Sequence, residues 1–138
     1  MIQAAQSTSQ WSSMARIKPQ DRQADQSTNV EIAMHVMGWT WQRDGWGVMA
    51  WFDHEGNATG YGAGGEWTSF KPSVDIAHAW HVLEHFTWPQ FYTRLVRTET
   101  GNWRCDIELN GGDGPTRSAF AETAPLAICR AALAAVGV

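Results

Sequence analysis

The chain has 138 residues, with ten Lys and Arg against 14 Asp and Glu, and a formal net charge of -4 at pH 7. A chain of this length is expected to fold as one domain and to bury roughly two-thirds of its unfolded surface. The acidic balance argues against binding duplex nucleic acid, which requires clustered basic residues. No secretory pattern and no run of ~20 apolar residues is present, so we expect a cytoplasmic protein that does not enter a membrane.

The cysteine and tryptophan contents are also informative. The two cysteines, Cys105 and Cys129, provide neither a disulfide framework nor a four-ligand zinc site, which fits the reducing cytoplasm of a host cell. The nine tryptophans exceed what one small core usually needs, because a buried indole N–H requires a hydrogen-bond partner. We therefore expect several indoles to contact a ligand or a second copy of the chain, and we expect a homo-oligomer.

The N-terminal residues differ in composition from the remainder of the chain. Residues 1–28 are rich in Gln and Ser and lack an apolar period, which predicts a mobile or peripheral arm. Residues 29–138 are predicted to form a single α+β domain. A first helix is predicted to begin with Asn29 as its N-cap and to end at Gly38. Its apolar residues recur at helical spacing: Val30, Ala33, Met34 and Met37.

Two aromatic segments predict a β-hairpin after this helix. The strands are Trp39 to Arg43 and Trp46 to Phe52, and Asp44-Gly45 between them is typical of a two-residue type I′ turn. A turn of that length would place Trp51 on one face of the hairpin. The residues expected on the opposite face are Trp39, Trp41, Arg43, Trp46 and Val48. The Gly-rich residues 54–67 that follow predict a flexible loop near the functional site.

A second helix is predicted over residues 72–86. Ser73 is its expected N-cap, and Asp75 suits the positive end of the helix dipole. Five apolar residues form one predicted stripe: Ile76, Ala79, Trp80, Leu83 and Phe86. The three histidines of the helix, His78, His81 and His85, are expected in a partly exposed row beside that stripe.

The last third of the chain predicts a second hairpin and a closing helix. Residues 91–99 and 103–109 alternate between apolar and polar side chains on either side of a turn, and a short strand is expected near Ala119. Thr123 is the expected cap of the final helix, which is apolar on nearly every side and should pack into the body. The predicted fold is an α+β sandwich in the order α-β-β-α-β-β-α, an antiparallel sheet of two hairpins with about three helices.

Three segments carry a resemblance to a known family. They are Val36 to Trp39 (VMGW), Phe70 to Trp80 (FKPSVDIAHAW) and Ala121 to Val136 (AETAPLAICRAALAAV). These segments resemble the phage ABA-sandwich domain family, a group of small phage and prophage proteins. The resemblance implies a phage origin and an α+β sandwich, and it implies no catalytic residues because the family has no defined activity.

Two short patterns resemble a cofactor motif and a metal motif, but each lacks a feature that such a site requires. Gly60, Gly62 and Gly65 spell G-x-G-x-x-G, but no helix opens directly at these glycines, as a dinucleotide fingerprint requires. The row of histidines lacks the third and fourth ligands that zinc needs. We therefore predict no cofactor and no metal ion.

The candidate ligand-binding residues are mainly aromatic. Flat rings stack on nucleotide bases, and the planar guanidinium of Arg43 suits a phosphate. Arg130, the one charged residue of the final helix, either faces an anion or forms a salt bridge with an acid such as Glu122. The predicted ligand-binding set is Trp39, Trp41, Arg43, Trp46, Tyr61, Trp67 and Arg130, while Trp51 belongs to the same aromatic group.

These features suggest a phage accessory protein that binds and sequesters a small nucleotide-like immune signal of the host. An enzyme that cleaves such a signal is one alternative, with His54, His78, His81 or His85 as acid, base or ligand. No G-x-S-x-G sequence supports nucleophilic catalysis, and no catalytic residues are predicted. An inhibitor that binds a host protein through its tryptophans is the other alternative.

Overall fold

The computed structural model describes residues 17–63, 68–87, 90–109 and 116–137. The helices are α1 (Gln26–Glu31), which continues as a π-helical turn (Ile32–Val36), α2 (Ile76–Glu84) and α3 (Ala124–Ala135). The strands are β1 (Thr40–Arg43), β2 (Met49–Phe52), β3 (Ala58–Gly62), β4 (Phe91–Arg97), β5 (Trp103–Leu109) and β6 (Arg117–Ala121). Within these described ranges, no helix is long and apolar enough to cross a membrane.

The strands form two three-stranded antiparallel sheets, β1-β2-β3 and β4-β5-β6. The predicted α+β sandwich is confirmed, and each predicted hairpin gains a third strand. The strand expected near Ala119 is β6. The other third strand, β3, replaces part of the loop predicted over residues 54–67, so that prediction is wrong for Ala58–Gly62.

Strand β3 forms despite its glycines because it contains a bulge. The register between β2 and β3 shifts between Ala50 and Phe52. Gly60 has φ +89°, a conformation that favours glycine, and the Thr59 hydroxyl donates to the Trp51 carbonyl at 2.8 Å. The glycine therefore allows the bulge, whereas composition alone favours a loop.

The turn of the first hairpin has five residues, Asp44 to Val48, so the predicted two-residue turn is wrong. Gly47 has φ +80°, and a carboxylate oxygen of Asp44 accepts from the backbone N–H of Trp46 at 2.8 Å and of Val48 at 2.9 Å. Trp46 consequently lies in the turn, and β2 begins at Met49. The longer turn pairs Trp41 with Trp51, so both lie on one face, contrary to the prediction that Trp51 faces the other way.

The same turn recurs twice. In each case the first residue donates its N–H to the carbonyl of the fifth, and the fourth residue, a glycine, donates to the carbonyl of the first. The two further turns are Asp53 to Asn57 and Thr98 to Asn102, with Gly56 at φ +84° and Gly101 at φ +88°. A type I turn followed by a left-handed glycine matches the twist of the flanking strands. In this chain, the sequence signal for the five-residue turn is therefore an Asp or Thr followed three residues later by a glycine.

The closing helix α3 occupies the centre of the core, as predicted. It packs against β5, β6, α2 and the π-helical turn. Thr123 caps it by accepting from the Leu126 N–H at 3.4 Å, and Pro125 lies in its first turn. Its buried residues include Ile128, Cys129 and Leu133, and they meet the inner face of the second sheet, where Cys105, Ile107, Ala119 and Ala121 are buried.

The caps of α1 and α2 differ from the predicted ones. Asp25, rather than Asn29, caps α1 and accepts from the Thr28 N–H at 2.9 Å. Asp75, rather than Ser73, caps α2. Asn29 and Ser73 are instead bonded to each other, since the Ser73 N–H donates to the Asn29 side-chain oxygen at 2.9 Å. This buried hydrogen bond joins α1 to the segment that precedes α2. Gly38, with φ +72°, ends the first helical segment as predicted.

Helix α2 is rotated relative to its predicted stripe. Ala79, Leu83 and Phe86 are buried as expected, but Ile76 is 51% exposed and Trp80 is 50% exposed. His78 and Val82 take their places in the core, so His78 does not belong to an exposed row. The rings of Tyr61 and Phe70 pack on His78 and determine this orientation.

Part of the predicted arm lies against the body. Pro19–Asp21 form a 3-10 turn, and Arg22 is buried. The Gln20 side chain donates to the Phe120 carbonyl at 2.8 Å and accepts from its N–H at 3.0 Å, which covers this edge of β6. Residues 1–16 lie outside the described residues, and for them a mobile or peripheral arm stays a prediction.

Arg130 binds this N-terminal segment. Its Nε donates to the Arg22 carbonyl at 2.8 Å and its Nη1 to the Phe120 carbonyl at 2.7 Å. We predict that Arg130→Met lowers the free energy of unfolding by about 1–3 kcal/mol, because two hydrogen bonds to a charged donor are lost. Urea denaturation measures this change. The control is Arg117→Met, at an exposed arginine of β6. Equal midpoints for the two variants would contradict the anchoring role of Arg130.

Candidate functional site

A hollow of about 530 Å³ lies between α1 and one face of the first sheet. Helix α1 and the π-helical turn supply one wall, and β1 and β2 supply the opposite wall. The end of β3 and the segment before α2 complete the rim. The lining residues are Gln26, Val30, Met34, Trp41, Trp51, Gly62, Ala63, Ser69 and Phe70.

Two tryptophans form the wall on the sheet. Trp41 on β1 pairs directly with Trp51 on β2, and their ring centroids are 4.9 Å apart with a tilt of 59°. Trp51 is buried, whereas Trp41 is 43% exposed. Trp51 therefore supports Trp41 from the side, and Trp41 keeps an indole surface free for a ligand.

An aromatic cluster lies behind the hollow. Trp39 is buried, and its ring centroid is 4.8 Å from that of Phe70 and 5.7 Å from that of Tyr61. His78 contacts both Tyr61, at 5.0 Å, and Phe70, at 5.8 Å. Because Phe70 belongs to both the cluster and the hollow, the cluster fixes one wall of the hollow. Trp39 belongs to the core, and Tyr61 packs against the core while partly buried. Direct contact of these two residues with a ligand stays a prediction.

Backbone hydrogen bonds hold the rim next to β3. The Gly62 N–H donates to the Thr68 carbonyl at 3.0 Å, and the Thr68 N–H donates to the Gly60 carbonyl at 3.3 Å. The Ala63 N–H donates to the Met49 carbonyl at 3.2 Å. Both ends of the segment 63–68 are thereby attached to the sheet. The predicted site residue Trp67 falls within residues 64–67, outside the described residues.

The other predicted site residues are dispersed. Arg43 shares the Trp41 face, two residues further along β1. It is exposed and does not line the hollow, and its Nη1 donates to the Gly47 carbonyl of the turn at 3.1 Å. Trp46, in the turn, does not line the hollow and is 92% exposed. Arg130 donates to the backbone carbonyls of Arg22 and Phe120, and its contact with an anion stays a prediction. Of the predicted residues that the structure describes, only Trp41 lines the hollow.

Sequence reasoning missed the helical wall. Val30 and Met34 were predicted only as apolar residues at helical spacing in the first helix, and Met34 is 48% exposed. Gln26 was assigned to the arm. The available signal was the spacing of Gln26, Val30 and Met34, which recur every four residues and must share one face of a helix.

The histidines do not converge on one point. His54 is exposed in the β2–β3 turn, while His81 and His85 line a separate hollow of about 230 Å³ with Met37 and Glu84. In the part of the chain that the structure describes, no group of three or more His, Cys, Asp and Glu side chains is arranged to hold a metal ion.

The two cysteines are buried in the core and are poor nucleophiles. Burial raises the pKa of the Cys105 thiol to about 12, and the Asp106 carboxylate adds to the effect. Burial also raises the pKa of Cys129, with a further contribution from Cys105. Both side chains therefore stay as uncharged thiols at neutral pH.

The geometry agrees with one finding from comparison with known proteins. Residues 31–133 match the family described as the Phage ABA sandwich domain, a match that covers most of the chain. The chain belongs to the phage ABA sandwich domain family. The resemblance of its three segments is thereby confirmed, together with the sandwich architecture. No curated protein and no solved structure matches the chain.

His78 makes the stability of this region depend on pH. Burial lowers its pKa below the ordinary value of 6.5, against the opposing charge of Asp75. Its Nδ1 accepts from the Lys71 N–H at 3.1 Å, which also requires an unprotonated nitrogen. As the pH falls, the imidazole of His78 therefore takes up its proton at a higher pH in the unfolded chain than in the folded chain. The stabilising contribution is complete above pH 6.5 and is lost as the pH falls towards the folded pKa.

We predict that the free energy of unfolding falls between neutral and mildly acidic pH, and that His78→Gln makes this dependence shallower. Urea denaturation at several pH values measures the slope, and an NMR titration of the imidazole measures the pKa directly. A folded His78 that titrates at or above its ordinary pKa would contradict the burial effect.

Proposed function

We propose that this protein is a phage accessory protein that binds a small nucleotide-like molecule in the hollow beside Trp41, and so sequesters a signal of the host's immune response. The observation that carries the proposal is the hollow itself. At about 530 Å³ it has the size of small-molecule sites, and an exposed indole face lies in its wall. Membership of a phage family supplies the biological setting.

The chemistry of the lining suits a flat heterocycle. Trp41, Trp51 and Phe70 provide aromatic surface, and Val30 and Met34 provide aliphatic surface. Stacking of one base on an aromatic side chain contributes about 1–3 kcal/mol. Gln26 and Ser69 add hydrogen-bonding groups that suit the edge of a base. The lining is therefore mainly apolar, with two polar groups to orient the ring.

Arg43 supplies the contact for a phosphate. It lies on the face of Trp41, and two residues along a strand correspond to roughly 6.5 Å. Among the described residues that line the hollow there is no Lys or Arg. A phosphate attached to a ring at Trp41 would thus point along β1 towards solvent, where the guanidinium of Arg43 binds it. The ring supplies most of the affinity, and the phosphate supplies a smaller part that depends on salt.

The lining favours binding over cleavage. The described residues of the lining include no His, Cys, Asp or Glu, so none of them places an acid, a base or a metal ligand next to a bound molecule. A protein that binds a signal without changing it acts by lowering the free concentration of that signal. Sequestration follows from such a site if the protein is abundant relative to the signal.

The decisive first experiment is mass spectrometry of the small molecules released when the purified protein is denatured by heat. We expect an intact nucleotide-like compound in an amount comparable to that of the protein. A shortened or hydrolysed compound would show that the protein cleaves the molecule, and sequestration would then be wrong. If purified protein, incubated with a panel of mononucleotides and cyclic dinucleotides and then separated from free compound, releases none, the proposal is wrong.

Substitution at the wall of the hollow locates the site. We predict that Trp41→Ala weakens binding of a nucleotide probe such as adenosine monophosphate by about 1–3 kcal/mol, because one stacking surface is lost. Calorimetric titration measures the change. The matched control is Trp80→Ala, which removes a half-exposed indole from α2. Equal losses in both variants would exclude the hollow as the site.

The same titration tests Arg43. We expect Arg43→Lys to bind the nucleotide more weakly and the nucleoside with unchanged affinity. That result would assign the guanidinium to the phosphate, because the substitution keeps the charge and loses only the planar geometry. If nucleotide and nucleoside lose affinity equally, Arg43 acts through the fold of the turn.

A further inference from the structure

The tip of the first hairpin carries an indole that is almost entirely in solvent. Trp46 is 92% exposed, compared with 50% for Trp80 and 43% for Trp41. The turn that holds it is well ordered by hydrogen bonds, from two backbone N–H groups to Asp44 and from Arg43 to the Gly47 carbonyl. An indole held outwards in this way is available to a partner, and tryptophan is enriched among the residues that contribute most to binding.

The same chain contains a hollow of matching chemistry. The described residues that line the hollow beside Trp41 are uncharged, and the hollow is large enough for an indole. Its walls are aromatic and aliphatic, and Gln26 and Ser69 carry oxygen atoms that accept a hydrogen bond from an indole N–H. Trp46 does not line the hollow of its own copy, and its side chain is in solvent at the tip of the hairpin.

The positions of the two features favour a two-fold arrangement. Trp46 lies at the tip of the β1–β2 hairpin, and the Trp41–Trp51 pair lies further down the face of the same hairpin. Two hairpins that run antiparallel across a two-fold axis bring each tip over the other's hollow. Such a contact uses the same surface on both copies, and it closes as a dimer rather than extending into a filament.

We infer that this protein forms a reciprocal dimer in which Trp46 of each copy inserts into the hollow beside Trp41 of the other. Because the hollow is the proposed ligand site, the inserted indole and the ligand exclude each other. A ligand that binds only the open hollow then favours the monomer by mass action. The dimer itself does not depend on whether the ligand is a nucleotide.

The area available indicates a weak dimer. Each inserted indole buries about 150–250 Å² of its own surface and a comparable area of the hollow. Two insertions, with the half-exposed Met34 and Val48 nearby, give roughly 1,000 Å² in total, which lies at the lower end for specific interfaces. A reversible dimer is therefore expected, with its population set by protein concentration.

Analytical ultracentrifugation of the full chain over a wide concentration range tests the inference. We expect the wild type to pass from monomer to dimer as its concentration rises. The dimer dissociation constant of Trp46→Ala should be higher by a factor of about ten or more. The control Trp80→Ala should behave as the wild type. Wild-type protein that stays monomeric would overturn the inference, and so would equal weakening by Trp80→Ala.

A complementation experiment identifies the hollow as the receptor. Met34→Trp fills the hollow and keeps the Trp46 tip, whereas Trp46→Ala keeps the hollow and loses the tip. We expect each variant alone to be mainly monomeric, and an equimolar mixture to form a heterodimer with one inserted indole. If the mixture associates no better than either variant alone, insertion is wrong. Far-ultraviolet circular dichroism confirms beforehand that both variants are folded.

The two proposals fail in different ways. If the dimer forms but the protein releases no small molecule and binds no probe, the insertion is supported and the nucleotide site is wrong. If the protein stays monomeric and binds the nucleotide probe, the nucleotide site is supported and the insertion is wrong. If both hold, adding the probe should shift the wild type towards the monomer and leave the weak association of Trp46→Ala unaffected. A dimer that persists with every site occupied by probe would overturn the inference.

Discussion

The first sheet is joined to the helices by an aromatic cluster centred on Trp39. All four residues of β1 are exposed, so this strand contributes little to the core by itself. Trp39, directly before the strand, is buried against Tyr61 and Phe70, and its ring also contacts His81 at 6.2 Å. Because these rings fix the distance between the sheet and the helices, they also fix the width of the hollow between α1 and Trp41.

The same cluster determines the environment of α2. Phe70 stacks on His78 at an interplanar angle of 23°, which brings an imidazole into the core and leaves Ile76 and Trp80 at the surface. The burial that lowers the pKa of His78 also raises the pKa of Tyr61, with a further contribution from the charge of Asp75. Both side chains are consequently uncharged at neutral pH. The cluster supports the wall of the hollow beside Trp41, whereas His81 and His85 line the separate hollow of about 230 Å³.

Local sequence signals predicted the elements well and their orientation poorly. The second hairpin, the Thr123 cap and the buried final helix follow from alternation, capping and apolar content, which act within a few residues. The face of α2 was wrong because it depends on Tyr61 and Phe70, which lie outside the helix. The register of the first hairpin was wrong because Asp44-Gly45 suits a two-residue turn, whereas Asp44 and Gly47 together form a five-residue one. That difference moved Trp51 to the face of Trp41, so the hollow could not be derived from the predicted strands.

The central claim is that the hollow beside Trp41 receives a flat ring. The most direct test is an NMR measurement of nuclear Overhauser effects between the ring protons of bound adenosine monophosphate and the tryptophan side chains of the protein. We expect contacts to the indole of Trp41 and to the methyl group of Met34 across the hollow. Contacts only to Trp46 or Trp80, or none to any indole while the nucleotide is bound, would contradict it.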